Sequence, residues 1–406
     1  MVETNFKQTD IGLVPEDWEI KTIEEVAKVF GGGTPSTRDS IYWNGDINWF
    51  TPTEVGKSKY LYDSVRKITE EGLSNCSARI LPINTILITT RAGIGDLGIL
   101  KIPSATNQGF QSLIPNENID YEFLYYLVST LKPLLLKNAS GSTFLEISPS
   151  KVKSIEIPVP PLPEQKAIAE VLSDTDHWIT SLEDLIAKKQ LIKQGAMQKL
   201  LTPKEDWEVN KLGEVGKTYG GLSGKTKVDF GRGNAHYIPF MNVMKNVIID
   251  NSFFEKVNLK QGEIQNKILK NDLLFNGSSE TPEELGISSV ILEDIENLYL
   301  NSFCFGFRLF ENNVNPLFLS YLFRSPYGRK IIFYLAQGAT RYNLSKANFL
   351  ELEISLPKSV VQQNYIATIL SDMDAEIGAL EQKLIKAKQI KQGLMQKLLT
   401  GRIRLV

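Results

Sequence analysis

The chain has 406 residues, 42% of them hydrophobic and 23% charged, which is too long for one core and predicts two or three globular domains. No apolar run reaches the roughly 18 residues of a membrane span, and the amino terminus lacks a signal peptide's basic and apolar regions. Cys76 and Cys304 are too few for a disulfide framework and suit a reducing cytoplasm, while a net charge of −2 counts mildly against a nucleic-acid binder, which is often basic.

In chain order, the first landmarks are Glu16-Asp17-Trp18-Glu19, Glu25-Val26-x-Lys28 and the pair Gly31-Gly32. Gly31–Pro35 lacks the Lys-Ser/Thr that completes a P-loop. The apolar run Thr85–Thr90 predicts a buried strand. Gly93-Ile94-Gly95-Asp96-Leu97-Gly98 follows it with the glycine spacing of a dinucleotide fingerprint. That function needs a helix to begin there; Ile99–Pro103 reads instead as a short strand, so a glycine hairpin or loop is expected. Phe123-Leu124-x-Tyr126-Leu127 opens a helix. Gly141-Ser142-Thr143 then precedes a short strand and the proline-marked start of a long helix. His177 and His236 stand singly, with no zinc spacing and no nucleophile elbow. The chain reads as non-catalytic.

The long helix is the organising stretch, because the chain contains it twice. Shifted forward by 198 positions, Gln165–Thr202 lies on Gln363–Thr400 without a gap, identical at 21 of 38 residues. Ile366, Leu370, Met373, Ile377, Leu380, Leu384 and Ala387 advance in steps of four and three, the seam of a coiled coil. The first copy matches with Ile168, Leu172, Thr175, Ile179, Leu182 and Ile186. At 1.5 Å per residue each helix is a rod of roughly 57 Å, and the natural partner of each apolar seam is the other copy. Gly195 and Gly393 sit at equal places inside these helices, at about 1 kcal/mol each relative to alanine. Close helix approach and a docking surface are both open explanations.

The repeat extends into the globular parts. Glu205-Asp206-Trp207-Glu208, Gly220-Gly221, Phe318-Leu319-x-Tyr321-Leu322 and Gly338-Ala339-Thr340 match the first-half landmarks, and Asn301–Phe305 matches Asn107–Phe110. Between these anchors the halves diverge. The expected class is α+β: two mixed globular domains joined by two long helices in an antiparallel intramolecular coiled coil, with pseudo-twofold organisation. The expected boundaries are 1–157, a helix over 158–203, 204–355, and a second helix over 356–406.

Thr9–Glu19, Gly32-Gly33-Thr34-Pro35-Ser36, Tyr42–Trp49 and above all Ile157–Gln165 leading into Gln-Lys-Leu-Leu-Thr resemble the specificity (S) subunits of Type I restriction–modification enzymes. The resemblance covers the whole chain. It implies a non-enzymatic subunit whose two target-recognition domains each read one half of a split site in double-stranded DNA. It also implies two modification (M) methyltransferase subunits docked on the helices, restriction (R) subunits beyond them, and no membrane. No cofactor is expected on this chain; S-adenosylmethionine, ATP and Mg are expected on the partners. The second domain departs from the pattern, with Gly220–Lys225 lacking Thr-Pro-Ser.

Bases are read by Arg or Lys at guanine, by Asn or Gln at adenine, and by Ser or Thr more generally. In the first domain that chemistry points to Ser36, Thr37, Arg38, Thr90, Arg91, Asn107 and Gln108. In the second it points to the basic loop Ser223, Lys225, Thr226, Lys227 and Arg232, to Asn276 and Ser278 at the place of Thr89–Arg91, and to Arg341 and Asn343. Gln194, Gly195 and Gln198, with Gln392, Gly393 and Gln396, are the candidate partner-binding residues. Trp18 and Trp207 are expected as core anchors. A stand-alone two-headed DNA-binding regulator and a coiled-coil adaptor without DNA binding remain open alternatives.

Overall fold

The computed structural model describes residues 5–91, 93–141, 145–311, 313–338 and 340–405. Ser142 and Thr143, and Ala339 of the matching segment, lie outside the described residues. The chain divides into two compact units, residues 1–182 with 383–406, and residues 183–382. Among the described residues no helix is long and apolar enough to cross a membrane.

Both units are built on one plan. Unit 1 carries an antiparallel sheet in the order Ala27–Gly31, Phe110–Pro115, Ile86–Thr89, Leu97–Leu100, extended by Tyr60–Leu61 in parallel. Unit 2 repeats the order with Gly216–Gly220, Cys304–Leu309, Leu273–Asn276 and Ser288–Val290. Each central strand is buried along its whole length because it has a core on both faces. Ile86 and Ile88 point into one cluster and Leu87 into another. Leu273 and Phe275 likewise separate from Leu274. This is the period-two alternation of a pleated strand applied to two apolar layers. The glycine-rich segment after Thr89 is a turn with Gly93 and Gly95 at positive φ, and a strand follows it, not a helix.

The long helices run Leu162–Leu200 and Val360–Leu398. Most of their seam residues are buried, Ile168, Leu172, Thr175, Leu182 and Ile186 on the first and Ile366, Leu370, Ile377, Leu380 and Ala387 on the second, while Ile179, Met373 and Leu384 are half-buried. They are antiparallel in each unit. Within unit 2, Lys189 pairs with Glu376 at 2.6 Å and Lys193 with Asp374, so one index rises as the other falls. Within unit 1, Asp176 meets Lys391 at 2.5 Å, and Glu164 near the first helix's start meets Arg404 beyond the second helix's end at 2.7 Å.

Repeated polar contacts fasten each globular part to the helices. Gln165 is buried; its Oε1 accepts from the Asp120 amide at 2.9 Å, and its Nε2 donates to the Pro160 carbonyl at 2.9 Å. Gln363 does the same with the Asn315 amide at 2.8 Å and the Pro357 carbonyl at 2.9 Å. Asp120 and Asn315 are the N-caps of the helices Tyr121–Ser129 and Pro316–Arg324. One turn into those helices, the Tyr126 hydroxyl donates to Asp176 at 2.6 Å and the Tyr321 hydroxyl to Asp374 at 2.7 Å. Burial, and then the aspartate, push both phenols well above their ordinary value. Each aspartate is thereby shared by a tyrosine of the globular part and a lysine of the opposite helix.

Trp18 is buried with its Nε1 donating to Glu164 at 3.0 Å, and Trp207 is buried against Phe318. Both are core anchors. Asp176→Ala or Asp374→Ala is expected to leave a tyrosine hydroxyl and a lysine without their acceptor and to cost about 1–3 kcal/mol, read as a lower urea midpoint. The exposed neighbour substitution Asp372→Ala is expected to stay within about 0.5 kcal/mol.

Candidate functional site

At one end of each central sheet, the main chain builds the same frame from residues far apart in sequence. In unit 1, Gly32 lies against the carbonyls of Thr106 and Asn107, where an added Cβ would sit 2.3 and 2.1 Å from the two oxygens. The next amide, Gly33, donates to the Thr106 carbonyl at 2.9 Å. Asn107 Oδ1 accepts from the Gly109 amide at 2.9 Å, and the Gly109 carbonyl accepts from the Thr90 amide at 2.8 Å. The Thr90 carbonyl accepts from Ile147 at 3.2 Å.

Unit 2 repeats every one of these contacts. A Cβ on Gly221 would sit 2.0 Å from the Asn301 oxygen, and the Leu222 amide donates to the Leu300 carbonyl at 2.7 Å. Asn301 Oδ1 accepts from the Phe303 amide at 3.0 Å, the Phe303 carbonyl from Gly277 at 2.8 Å, and the Gly277 carbonyl from Leu344 at 3.0 Å. The matched glycine and asparagine pairs of the sequence are therefore the joints of one frame. Neither glycine is at positive φ; close approach alone demands them.

From this frame in unit 1, Ser36, Thr37, Arg38 and Gln108 are exposed, and Gln108 is held by the Thr34 hydroxyl. Asn107 is half-buried and committed to its turn. Arg91 is exposed but paired with Glu146 at 2.8 Å. The expectation for Thr90 is corrected: it is 1% exposed, and its backbone serves the frame.

In unit 2, Ser223, Thr226, Lys227, Arg232, Arg341 and Asn343 are exposed. Ser223 is anchored through its amide to Gln265 at 3.1 Å, and Arg232 Nε donates to the Val228 carbonyl at 3.2 Å. Thr226 opens a short turn, its hydroxyl and amide both donating to Asp229 at 2.9 Å. Three expectations fail here. Lys225 is not a free cation: its ammonium is buried against Glu263 at 2.5 Å and the Asn258 carbonyl at 2.8 Å, and it holds the Glu263 carboxyl down at about 2. Asn276 is fully buried, its Oδ1 accepting from Ile287 at 2.6 Å and its Nδ2 donating to the Glu284 carbonyl at 2.8 Å. Ser278 is buried in a two-residue ladder that pairs it with Asn343. These three support the tip and do not face solvent.

Sequence reasoning passed over Phe303, which stands 55% exposed on the frame with the Arg341 guanidinium 5.5 Å over its ring. The available signal was the match of Asn301 to Asn107, which places the two following residues at the tip.

On the helices, Gln194, Gly195, Gln198, Gln392 and Gln396 are exposed and Gly393 is half-buried. A Cβ on Gly195 or Gly393 would meet nothing within 4 Å, so close helix approach does not explain either glycine. Each repeated stretch borders a cleft. In unit 1, Lys391, Gln392, Met395 and Gln396 face Leu131 and Leu134 across about 880 Å³. In unit 2, Lys193, Gln194 and Met197 face Tyr321 and Arg324 across about 870 Å³. Arg324 spends its guanidinium on the carbonyls that end the helix Phe240–Lys245, including Val243 at 2.7 Å and Asn246 at 2.8 Å, and burial lowers it to about 10.

Gly32→Ala and Gly221→Ala are expected to cost more than about 3 kcal/mol, because backbone oxygens must move. Gly195→Ala and Gly393→Ala are expected to add up to about 1 kcal/mol each to the isolated chain. Urea midpoints of the four variants check both signs.

Comparison with known proteins places this geometry among relatives. The family described as "Type I restriction modification DNA specificity domain" matches the chain twice, over residues 15–194 and 204–389, each match joining a globular part to its long helix. The Type I restriction enzyme MjaIX specificity subunit of Methanocaldococcus jannaschii is 31% identical over 99% of this chain and 97% of its own length. The EcoR124I/EcoR124II specificity subunit of Escherichia coli is 33% identical over 47% of each chain. Among solved structures, the S subunit of a Type I restriction-modification system from M. genitalium shares the fold at a TM-score of 0.59 and 18% identity, over 98% of this chain and 97% of that one.

Proposed function

The chain belongs to the family of Type I restriction–modification DNA specificity proteins, and from that membership we propose how its parts divide the work. The chain is the non-catalytic DNA specificity subunit of a Type I assembly, and each unit is a target-recognition domain for one half of a bipartite site in double-stranded DNA. The observation that carries this reading is one frame bearing two unlike polar tips. Gly32, Asn107 and Thr90 carry Ser36, Thr37, Arg38 and Gln108 in the adjoining loops, while Gly221, Asn301 and Gly277 carry Arg341 and Asn343, with Lys227 and Arg232 exposed elsewhere in the same unit. A common frame with different side chains suits one recognition task directed at two different sequences.

Docking of two modification subunits is assigned to the helix stretches around Gln194-Gly195-Gln198 and Gln392-Gly393-Gln396. The same residues presented twice offer equivalent seats to two copies of one partner. Helical glycines with open space around them are consistent with a surface that something else must approach closely. Restriction subunits join beyond them. In this assignment S-adenosylmethionine, ATP and Mg are held by the partner subunits. The near-neutral charge fits a subunit whose base contacts specify, while partners supply much of the phosphate grip.

The test is to co-express the chain with its modification subunits and map the methylated bases by sequencing. A two-part motif with unlike halves is expected. Arg38→Ala or Gln108→Ala is expected to relax one half by about tenfold or more at one position and to leave the other half unchanged. A one-part motif, or changes in both halves from one tip, would count against the reading.

The paired helices are further assigned the setting of the unread spacer. Inserting one heptad into each, after Leu182 and after Leu384, keeps both seams in register and adds about 10 Å. The mapped spacer is expected to grow by about three base pairs, with both half-sites retained. An unchanged spacer sinks the assignment.

A further inference from the structure

We propose that Phe303 reads a thymine in the half-site of unit 2, its ring covering the C5-methyl group on the major-groove edge of the base. The proposal rests on the two units being DNA readers, and adds to that reading one residue and one base.

Three observations meet at this side chain. First, Phe303 is a large apolar residue 55% exposed on a main chain held from both sides. Its amide donates to Asn301 Oδ1 at 3.0 Å and its carbonyl accepts from Gly277 at 2.8 Å. A scattered exposed phenylalanine on a loose loop would need no explanation; one aimed by a rigid frame is a placed group. Second, the same joint in unit 1 is Gly109, held by the same two contacts. The frame tolerates the absence of a side chain here, so the ring is not needed to build it. It belongs to what differs between the two tips. Third, the Arg341 guanidinium lies 5.5 Å over the ring, and Asn343 is exposed two residues on, in the strand paired with Ser278–Ser279.

The chemistry of the cluster matches base edges in the major groove. Arginine suits guanine O6 and N7, asparagine suits adenine N6 and N7, and the thymine methyl is the apolar group an aromatic side chain can cover. A wedge driven between base pairs is the other known use of an exposed phenylalanine on DNA. The wedge acts on stacking, so its effect does not depend on the methyl group of one thymine. Here a guanidinium lies over the ring, which fits a lateral contact better than insertion.

The experiment uses the full chain assembled with its modification subunits and duplexes bearing the mapped motif. Each thymine of the half-site untouched by unit 1 tip substitutions is replaced in turn by deoxyuridine, which lacks only the methyl group. Methylation rates are then compared for the unaltered chain, Phe303→Ala and Phe303→Leu. One replacement is expected to slow the unaltered chain about fourfold, the worth of one buried methyl. The same replacement should leave Phe303→Ala unaffected and slow Phe303→Leu, which still presents an apolar surface. If the unaltered chain and Phe303→Ala respond alike to every replacement, the proposal is overturned while the bipartite reading stands. Uniform slowing of all duplexes by Phe303→Ala, with no deoxyuridine effect, overturns it in favour of a wedge. A complex that yields no two-part motif removes the reading beneath it as well.

Discussion

The aspartate shared between a tyrosine and a lysine is the contact on which the architecture depends. Each long helix carries both members of the ionic pair, Asp176 and Lys193 on the first, Asp374 and Lys391 on the second. Antiparallel pairing brings Asp176 to Lys391 and Asp374 to Lys193. A parallel pairing in register would set aspartate beside aspartate and lysine beside lysine. Charge-assisted bonds of this kind are worth roughly twice neutral ones, and an unmade one leaves a group desolvated without return. The tyrosines complete the arrangement. Tyr126 and Tyr321 come from the globular parts, so the contact that sets helix direction also seats each globular part on the helices.

Much of this plan was legible in the sequence because duplication makes a chain its own comparison. The seam residues, the two tryptophan anchors, Gly32 with Gly221 and Asn107 with Asn301 stood out by recurring at matched spacing, and all occupy matched places. Gln165 and Gln363 recur too, but their task is invisible in one dimension. Their partners, the N-caps Asp120 and Asn315, lie 45 and 48 residues upstream and depend on the fold.

The tips were harder to read. Thr90 and Asn276 end apolar strands, where a polar residue reads as a solvent-facing cap. In the structure a second loop covers each, so their polar atoms serve the interior. Lys225 sits in a glycine-rich basic loop, and composition could not reveal Glu263 waiting for it 38 residues away. Arg38, Gln108, Lys227, Arg232, Arg341 and Asn343 are exposed as expected. Phe303 offers no hydrogen-bonding group, so the chemistry of base recognition does not single it out in the sequence, and only its exposure in the fold does.

The frame itself is made of main-chain hydrogen bonds, two asparagine side chains and two glycines that sit beneath carbonyl oxygens. None of its joints uses the side chains that project from it. Surface replacements away from such joints usually move stability by no more than about 0.5 kcal/mol, so the projecting residues can be exchanged without approaching the threshold at which a marginally stable protein unfolds. Such a scaffold is free to drift in what it recognises: new sequence preferences can be sampled one substitution at a time, with little of the selection against misfolding that constrains change elsewhere in the molecule.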